Sequence, residues 1–238
     1  MKKLVVPAFL CAAALVASAS AHAAIGITDP AGDFLLPTYT GALAGDLDVR
    51  SAFVTYDSGS NTFYLSGTVG APVGTTPTAF YVWGFDRGQG TQRFVTPGSS
   101  YGVGVSFDSV VIFRLDGSAT VNRLVEGGST VVPGAVSFSG DTFSGTIAGA
   151  LLPSLGAASA SYTWNLWPRD GAVPAAAGVA AISDFAPDAA NAAVVAVPEP
   201  ETYALMAIGL GCIGWLGRRR QRIAATALQA SERADSLS

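Results

Sequence analysis

The sequence predicts an all-β protein. It reads as a single β-sandwich ectodomain, with a jelly roll as one arrangement, between an N-terminal signal helix and a short C-terminal transmembrane helix. Two observations carry this expectation. From residue 46 to 167, short apolar runs are cut by Gly, Asp, Asn and Ser every few positions. No segment of 24–170 keeps a 3.6-residue apolar period. The 238 residues are 50% hydrophobic and only 13% charged, with 28 Gly and 13 Pro scattered without a period. That composition excludes collagen, a heptad coiled coil and a charge-rich disordered chain.

The elements follow in order. Asp46–Tyr56 is a strand carrying Leu47, Val49, Phe53 and Val54, and Asp57-Ser58-Gly59-Ser60-Asn61 is its turn. Thr62–Val69 returns with Phe63, Leu65 and Val69 on one face. Ala79–Phe85 places Tyr81, Trp83 and Phe85 on one face and Phe80 and Val82 on the other. Val103, Val105 and Phe107 alternate. Val110–Leu115 runs into Asp116-Gly117, a tight-turn pair, and Thr120–Val125 comes back. Val136–Phe138, Thr142–Ile147 and Ala160–Leu166 follow. Beyond 171 alanine dominates; Val179–Phe185 is read as a last strand, which closes the ectodomain at 24–185, and 186–201 as an extended Ala/Pro linker.

Residue placement narrows the chemistry. Residues 24–197 contain no Cys, His or Lys, and carry 13 Asp and Glu against 6 Arg, a net charge of −7. A Ser-His-Asp triad, a Cys-His nucleophile, a disulfide within this segment and a His- or Cys-ligated metal are therefore excluded. An acidic surface without Lys also argues against nucleic acid, which binds through phosphate neutralisation. The expectation is a protein that is not an enzyme. Its rival is an extracytoplasmic Asp/Glu hydrolase acting on glycans, which needs two carboxylates across a cleft.

The chain ends carry the clearest signals. Lys2 and Lys3 precede the apolar stretch Leu4–Ala17, and Ala21-His22-Ala23 supplies small residues before a cut. Residues 1–23 read as a signal peptide, with signal peptidase cutting between Ala23 and Ala24. At the other end Pro198-Glu199-Pro200 precedes an apolar run, Thr202–Gly217, and then Arg218, Arg219, Arg220 and Arg222. At ~1.5 Å per residue this run is about 24 Å long, against about 30 Å of hydrocarbon. It reads as a short transmembrane helix whose arginines stay cytoplasmic. The prolines hold the chain extended before the membrane, as a protease requires. The alternative is a permanently anchored single-pass protein.

This order of elements resembles the PEP-CTERM sorting signal of Gram-negative bacteria. The matching parts are Pro198-Glu199-Pro200, the glycine-punctuated helix Tyr203–Leu216 and the Arg cluster at 218–222; the stretch Ser183–Asn191 is similar to the segments that precede the motif. The resemblance implies recognition by exosortase, a membrane protease-transpeptidase, and cutting near 198–201. It implies transient anchoring in the inner membrane and delivery to the cell surface or extracellular matrix. It also implies an association with exopolysaccharide and biofilm, since hosts of the signal make such a matrix. Here the tail Ile223–Ser238 follows the basic cluster, a departure from the family pattern, and reads as loose and cytoplasmic.

Within the ectodomain Asp29, Asp33, Asp46 and Asp48 form the densest acidic set. They read either as oxygen ligands for Ca²⁺ or as Asx turn caps. No other cofactor is expected. Trp83, Trp164 and Trp167, with Tyr81 and Tyr162, read either as stacking surfaces for sugar rings or as sandwich core. Asp86 and Arg87, beside Gly88-Gln89-Gly90, read as a surface ion pair at a β-turn.

Overall fold

The computed structural model describes residues 26–95, 101–174, 179–197 and 205–215. Among the described residues twelve strands form two six-stranded sheets. They are β1 (Ile27–Thr28), β2 (Val49–Asp57), β3 (Thr62–Val69), β4 (Ala79–Asp86), β5 (Ser109–Arg114), β6 (Ala119–Arg123), β7 (Ser129–Val132), β8 (Val136–Ser139), β9 (Thr142–Ala148), β10 (Thr163–Asp170), β11 (Ala192–Ala193) and β12 (Val195–Val197). Sheet I runs β2-β3-β9-β8, with β1 and β12 sharing the outer edge of β2. Sheet II runs β11-β10-β4-β5-β6-β7. All pairings are antiparallel except β12 with β2.

Within the sheets the connections are hairpins (β2–β3, β8–β9) and a four-strand meander (β4 to β7), and β3–β4, β7–β8 and β9–β10 cross from one sheet to the other. A jelly roll is two Greek keys, so the jelly-roll arrangement is corrected while the sandwich stands. The turn residues explain the local folding: Asn61 (φ 49) and Gly117 (φ 82) occupy the left-handed region where the chain reverses after β2 and β5.

The main core lies between the sheets. Val54, Phe63, Leu65, Phe143 and Ile147 of sheet I meet Tyr81, Trp83, Phe85, Phe113, Trp164 and Leu166 of sheet II. Trp83 sits 5.3 Å from Trp164 and 6.1 Å from Phe143, ring centre to centre, in tilted and edge contacts. Sheet II is covered on its outer face as well. There Val82, Val110 and Trp167 pack against Val105, Phe107, Ile182 and Phe185 from loops. Gly84 makes room for this layer, because a Cβ at 84 would collide with the Trp167 ring. A strand buried on both faces needs apolar residues on both, which is the physical reason for the run Tyr81-Val82-Trp83-Gly84-Phe85.

Several sequence expectations change here. Val105 is buried in a turn, and Phe107 makes only an isolated bridge to Thr91, so no strand forms over 103–107. The stretch 179–185 is no strand either; it lies across sheet II, held by a bridge from Ile182 to Arg169. The expected linker is part of the sandwich up to Val197. Ala186 is buried and exchanges hydrogen bonds with Leu166, 2.8 and 2.9 Å. The Asn165 amide donates to the carbonyls of Pro187 and Ala190. β11 then pairs with β10, Val194 enters the core, and β12 pairs with β2.

Arg87 is also corrected. It is wholly buried, not a surface residue. Its Nε donates to Asp108 at 2.7 Å, its two terminal nitrogens donate to Glu126 at 2.9 and 2.7 Å, and Nη1 reaches the Pro153 carbonyl at 2.8 Å. Asp86 instead accepts the backbone N–H groups of Gly88 and Gly90. Removing the cation leaves buried Asp108 uncompensated. Arg87→Met should therefore lower the unfolding free energy by about 3–5 kcal/mol in denaturant titrations. A loss below about 1 kcal/mol contradicts this role for the network.

Candidate functional site

The described residues bring one set of chemically unusual side chains together. Five aspartates converge where the N-terminal segment, the start of β2 and the segment after 183 meet. Carboxylate oxygens of Asp29, Asp33 and Asp188 lie within 4.8 Å of one another, and so do those of Asp33, Asp48 and Asp184. Asp33 belongs to both groups. Asp48 and Asp184 are buried, Asp29 and Asp33 are half-buried and Asp188 is exposed.

Backbone geometry places each one. The turn 29–33 reverses at Gly32, whose φ of 75° suits glycine and whose N–H donates to both Asp48 oxygens at 3.1 Å. Asp29 is fixed by its own N–H to the Arg50 carbonyl, 2.9 Å. β2 begins with a bulge: Val49 pairs with Val69 and Ser51 with Thr68, leaving Arg50 as the extra residue. Its guanidinium meets Asp48 at 3.0 Å. On the third segment the Ser183 hydroxyl donates to the Leu47 carbonyl at 2.7 Å, and Leu35 N–H donates to the Ser183 carbonyl at 2.9 Å. Asp184 then accepts the Val49 N–H at 2.9 Å through Oδ2.

The hydrogen bonds do not satisfy the cluster. Asp29 Oδ2, both Asp33 oxygens and Asp184 Oδ1 are buried atoms that accept no well-formed hydrogen bond from another residue's N–H or O–H, although a protonated Asp29 can share its proton with Asp184 and Asp33 is near its own backbone N–H. The electrostatics reflect this. Burial, with the charges of Asp184, Asp33 and Asp188 adding and a hydrogen bond to Asp184 holding the proton, pushes the Asp29 carboxyl up to about 8. Burial also pushes Asp184 up to about 7, against the Val49 N–H bond that lowers it. Burial raises Asp33 in the same way.

Asp46 is not part of the cluster. Its carboxylate accepts the Thr76 N–H at 2.6 Å and the Thr76 hydroxyl at 2.8 Å, as a loop fastener. So the acidic set read from the sequence loses Asp46 and gains Asp184 and Asp188. The lost member sits two residues from Asp48, and the gained ones lie over 130 residues along the chain from it.

The sugar-stacking reading is overturned. Trp83, Trp164 and Trp167 are at most 2% exposed, and Tyr81 and Tyr162 are wholly buried. A sugar ring cannot reach a face already packed in a core, and the indole N–H of Trp164 is spent on the Ala193 carbonyl at 3.1 Å. An outward-facing aromatic pair exists elsewhere: Phe53 and Tyr64, 5.8 Å apart on sheet I, with Tyr64 41% exposed.

At the C-terminal side, 205–215 is helical and exposed along its described length. Among the described residues no helix is long and apolar enough to cross a membrane. Pro198, Glu199, Pro200, Arg218, Arg219, Arg220, Arg222 and the cleavage residues Ala21, Ala23 and Ala24 lie outside the described residues.

Comparison with known proteins gives one match. The family model of the PEP-CTERM protein-sorting motif matches residues 196–221. No curated protein and no solved structure matches the chain. The chain thus carries a PEP-CTERM signal, which begins within β12. That signal implies export, membrane-associated sorting in a Gram-negative bacterium and processing by exosortase.

The crowded carboxyls make stability depend on pH. In the unfolded chain Asp29 and Asp184 titrate near 3.8, and in the folded chain near 8 and 7. The folded state therefore holds more protons between these values, and stability falls as pH rises through that window. In metal-free buffer the melting temperature should drop between about pH 5 and pH 8, and Asp29→Asn should flatten the slope. A melting temperature that rises over this range contradicts the assignment.

Proposed function

We propose that this chain is an exported, non-enzymatic surface or matrix protein, delivered through its C-terminal Pro-Glu-Pro signal. The observation that carries the reading is the sorting motif at 196–221, attached directly to the last strand of the folded domain. Residues 1–23 are the signal peptide, removed by signal peptidase. The run 202–217 is the transient inner-membrane helix, and Arg218, Arg219, Arg220 and Arg222 keep its far end cytoplasmic. At about 24 Å it is short for a bilayer, which suits a hold that ends with cutting near 198–201.

The ectodomain's role in this reading is to be the delivered cargo. Its acidity, with no Lys or His in 24–197, argues against a nucleic-acid partner. Association with exopolysaccharide rests on the hosts of the signal, because the tryptophans that would have bound sugar are core residues. The rival reading, an Asp/Glu hydrolase acting on glycans, requires two carboxyl groups roughly 5–9.5 Å apart across a cleft.

Replacing Pro198-Glu199-Pro200 by three alanines tests the reading. In the native host the parent should be released as a species that has lost 201–238, and the variant should stay uncut in the membrane fraction. Intact mass and fractionation read both. Release of the variant at the parental level, or a parental species in the membrane that keeps Ser238, contradicts it.

A further inference from the structure

We propose that Asp29, Asp33, Asp48, Asp184 and Asp188 form a calcium site that clips both ends of the folded domain to β2. The ligand is signalled by unfinished bonding as well as by acidity. Asp184 is 0% exposed, yet its Oδ1 accepts no well-formed hydrogen bond, and its carboxylate lies within 4.8 Å of those of Asp33 and Asp48. Asp33 leaves both oxygens without a donor from another residue, and Asp29 leaves one. Buried carboxylate oxygens without donors are costly. The one cation seen among them, Arg50, is engaged at Asp48 and reaches neither Asp29 nor Asp184 as an ion pair. A divalent cation held between the two groups supplies both the charge and the missing partners.

The donor set selects the metal. All five side chains offer hard oxygen, and none offers nitrogen or sulfur, which disfavours zinc and copper. Ca²⁺ takes six to eight oxygens in flexible geometry, and carboxylates can bind it through one oxygen or two. Mg²⁺ demands a near-ideal octahedron and keeps several waters. Five carboxylates from three separate segments fit the first description. Affinities of 10⁻⁴–10⁻³ M are typical of extracellular calcium modules. The site joins the turn 29–33, the start of β2 and the segment 184–188, so binding fastens the chain ends.

The test uses the full chain, purified in detergent, stripped with chelator and titrated with Ca²⁺ alone or Mg²⁺ alone. Calcium should bind one ion per chain and raise the melting temperature by roughly 5–10 °C at a hundredfold excess over Kd. Asp33→Asn is the informative variant, because neither oxygen of Asp33 holds another part of the fold. It should stay folded, melt no lower than the parent without metal, and lose the calcium response at least tenfold. No saturable calcium binding up to about 10 mM, well above the range of extracellular sites, overturns the site. So does Asp33→Asn binding calcium like the parent, or Mg²⁺ binding as tightly as Ca²⁺. The sorting reading plays no part in this outcome: the triple-alanine variant at 198–200 should bind calcium as the parent does.

Discussion

The structure depends on how the open side of the two sheets is closed. A sandwich without disulfides must protect the edges of both sheets, since an unpaired edge strand is a template for aggregation. Here one short segment does this for both. β11 covers the edge of sheet II at β10, Val194 turns inward, and β12 covers the edge of sheet I at β2. Asn191 secures the crossing: its side chain donates to the Ser106 carbonyl at 2.6 Å and accepts the Ser106 N–H at 3.2 Å. β1 takes the remainder of the β2 edge at Ser51 and Ala52. Both ends of the folded domain therefore sit on one strand.

That arrangement has an electrostatic consequence. Bringing the N-terminal segment and the 184–188 segment to the start of β2 also brings their aspartates together. Backbone hydrogen bonds place Asp48 and Asp184 but leave four buried carboxylate oxygens without well-formed hydrogen bonds. Like charges in a poorly solvated place destabilise the very seam the edges need. Protonation relieves this in acid, and the proposed calcium ion would relieve it at neutral pH. Because β12 leads directly into the sorting motif, the state of this seam bears on how firmly the domain is held next to the segment that exosortase recognises.

Much of the sheet framework was legible in the sequence. β3, β4, β5 and β9 have a clean period of two or an apolar run bounded by turns, and local spacing alone marks them. The short edge strands were not legible. β11 and β12 are five residues of Ala and Val in an alanine-rich stretch, and only their partners make them strands. The acidic site was half legible. Asp29, Asp33 and Asp48 stood out by density, but Asp46, equally close in sequence, faces a different loop. Asp184 and Asp188 arrive through tertiary contact, which spacing cannot report. Trp83, Trp164 and Trp167 were ambiguous for the opposite reason, since an aromatic on a strand face looks the same whether that face is packed or bare.

Amide hydrogen exchange over 192–197 tests the central claim, that the folded domain runs to the threshold of the sorting motif. Protection there should be comparable to that of β2, because both sheets use this segment as an edge. Exchange at the rate of an unstructured peptide, with β2 still protected, would mean that the domain ends earlier and that a free linker presents the motif.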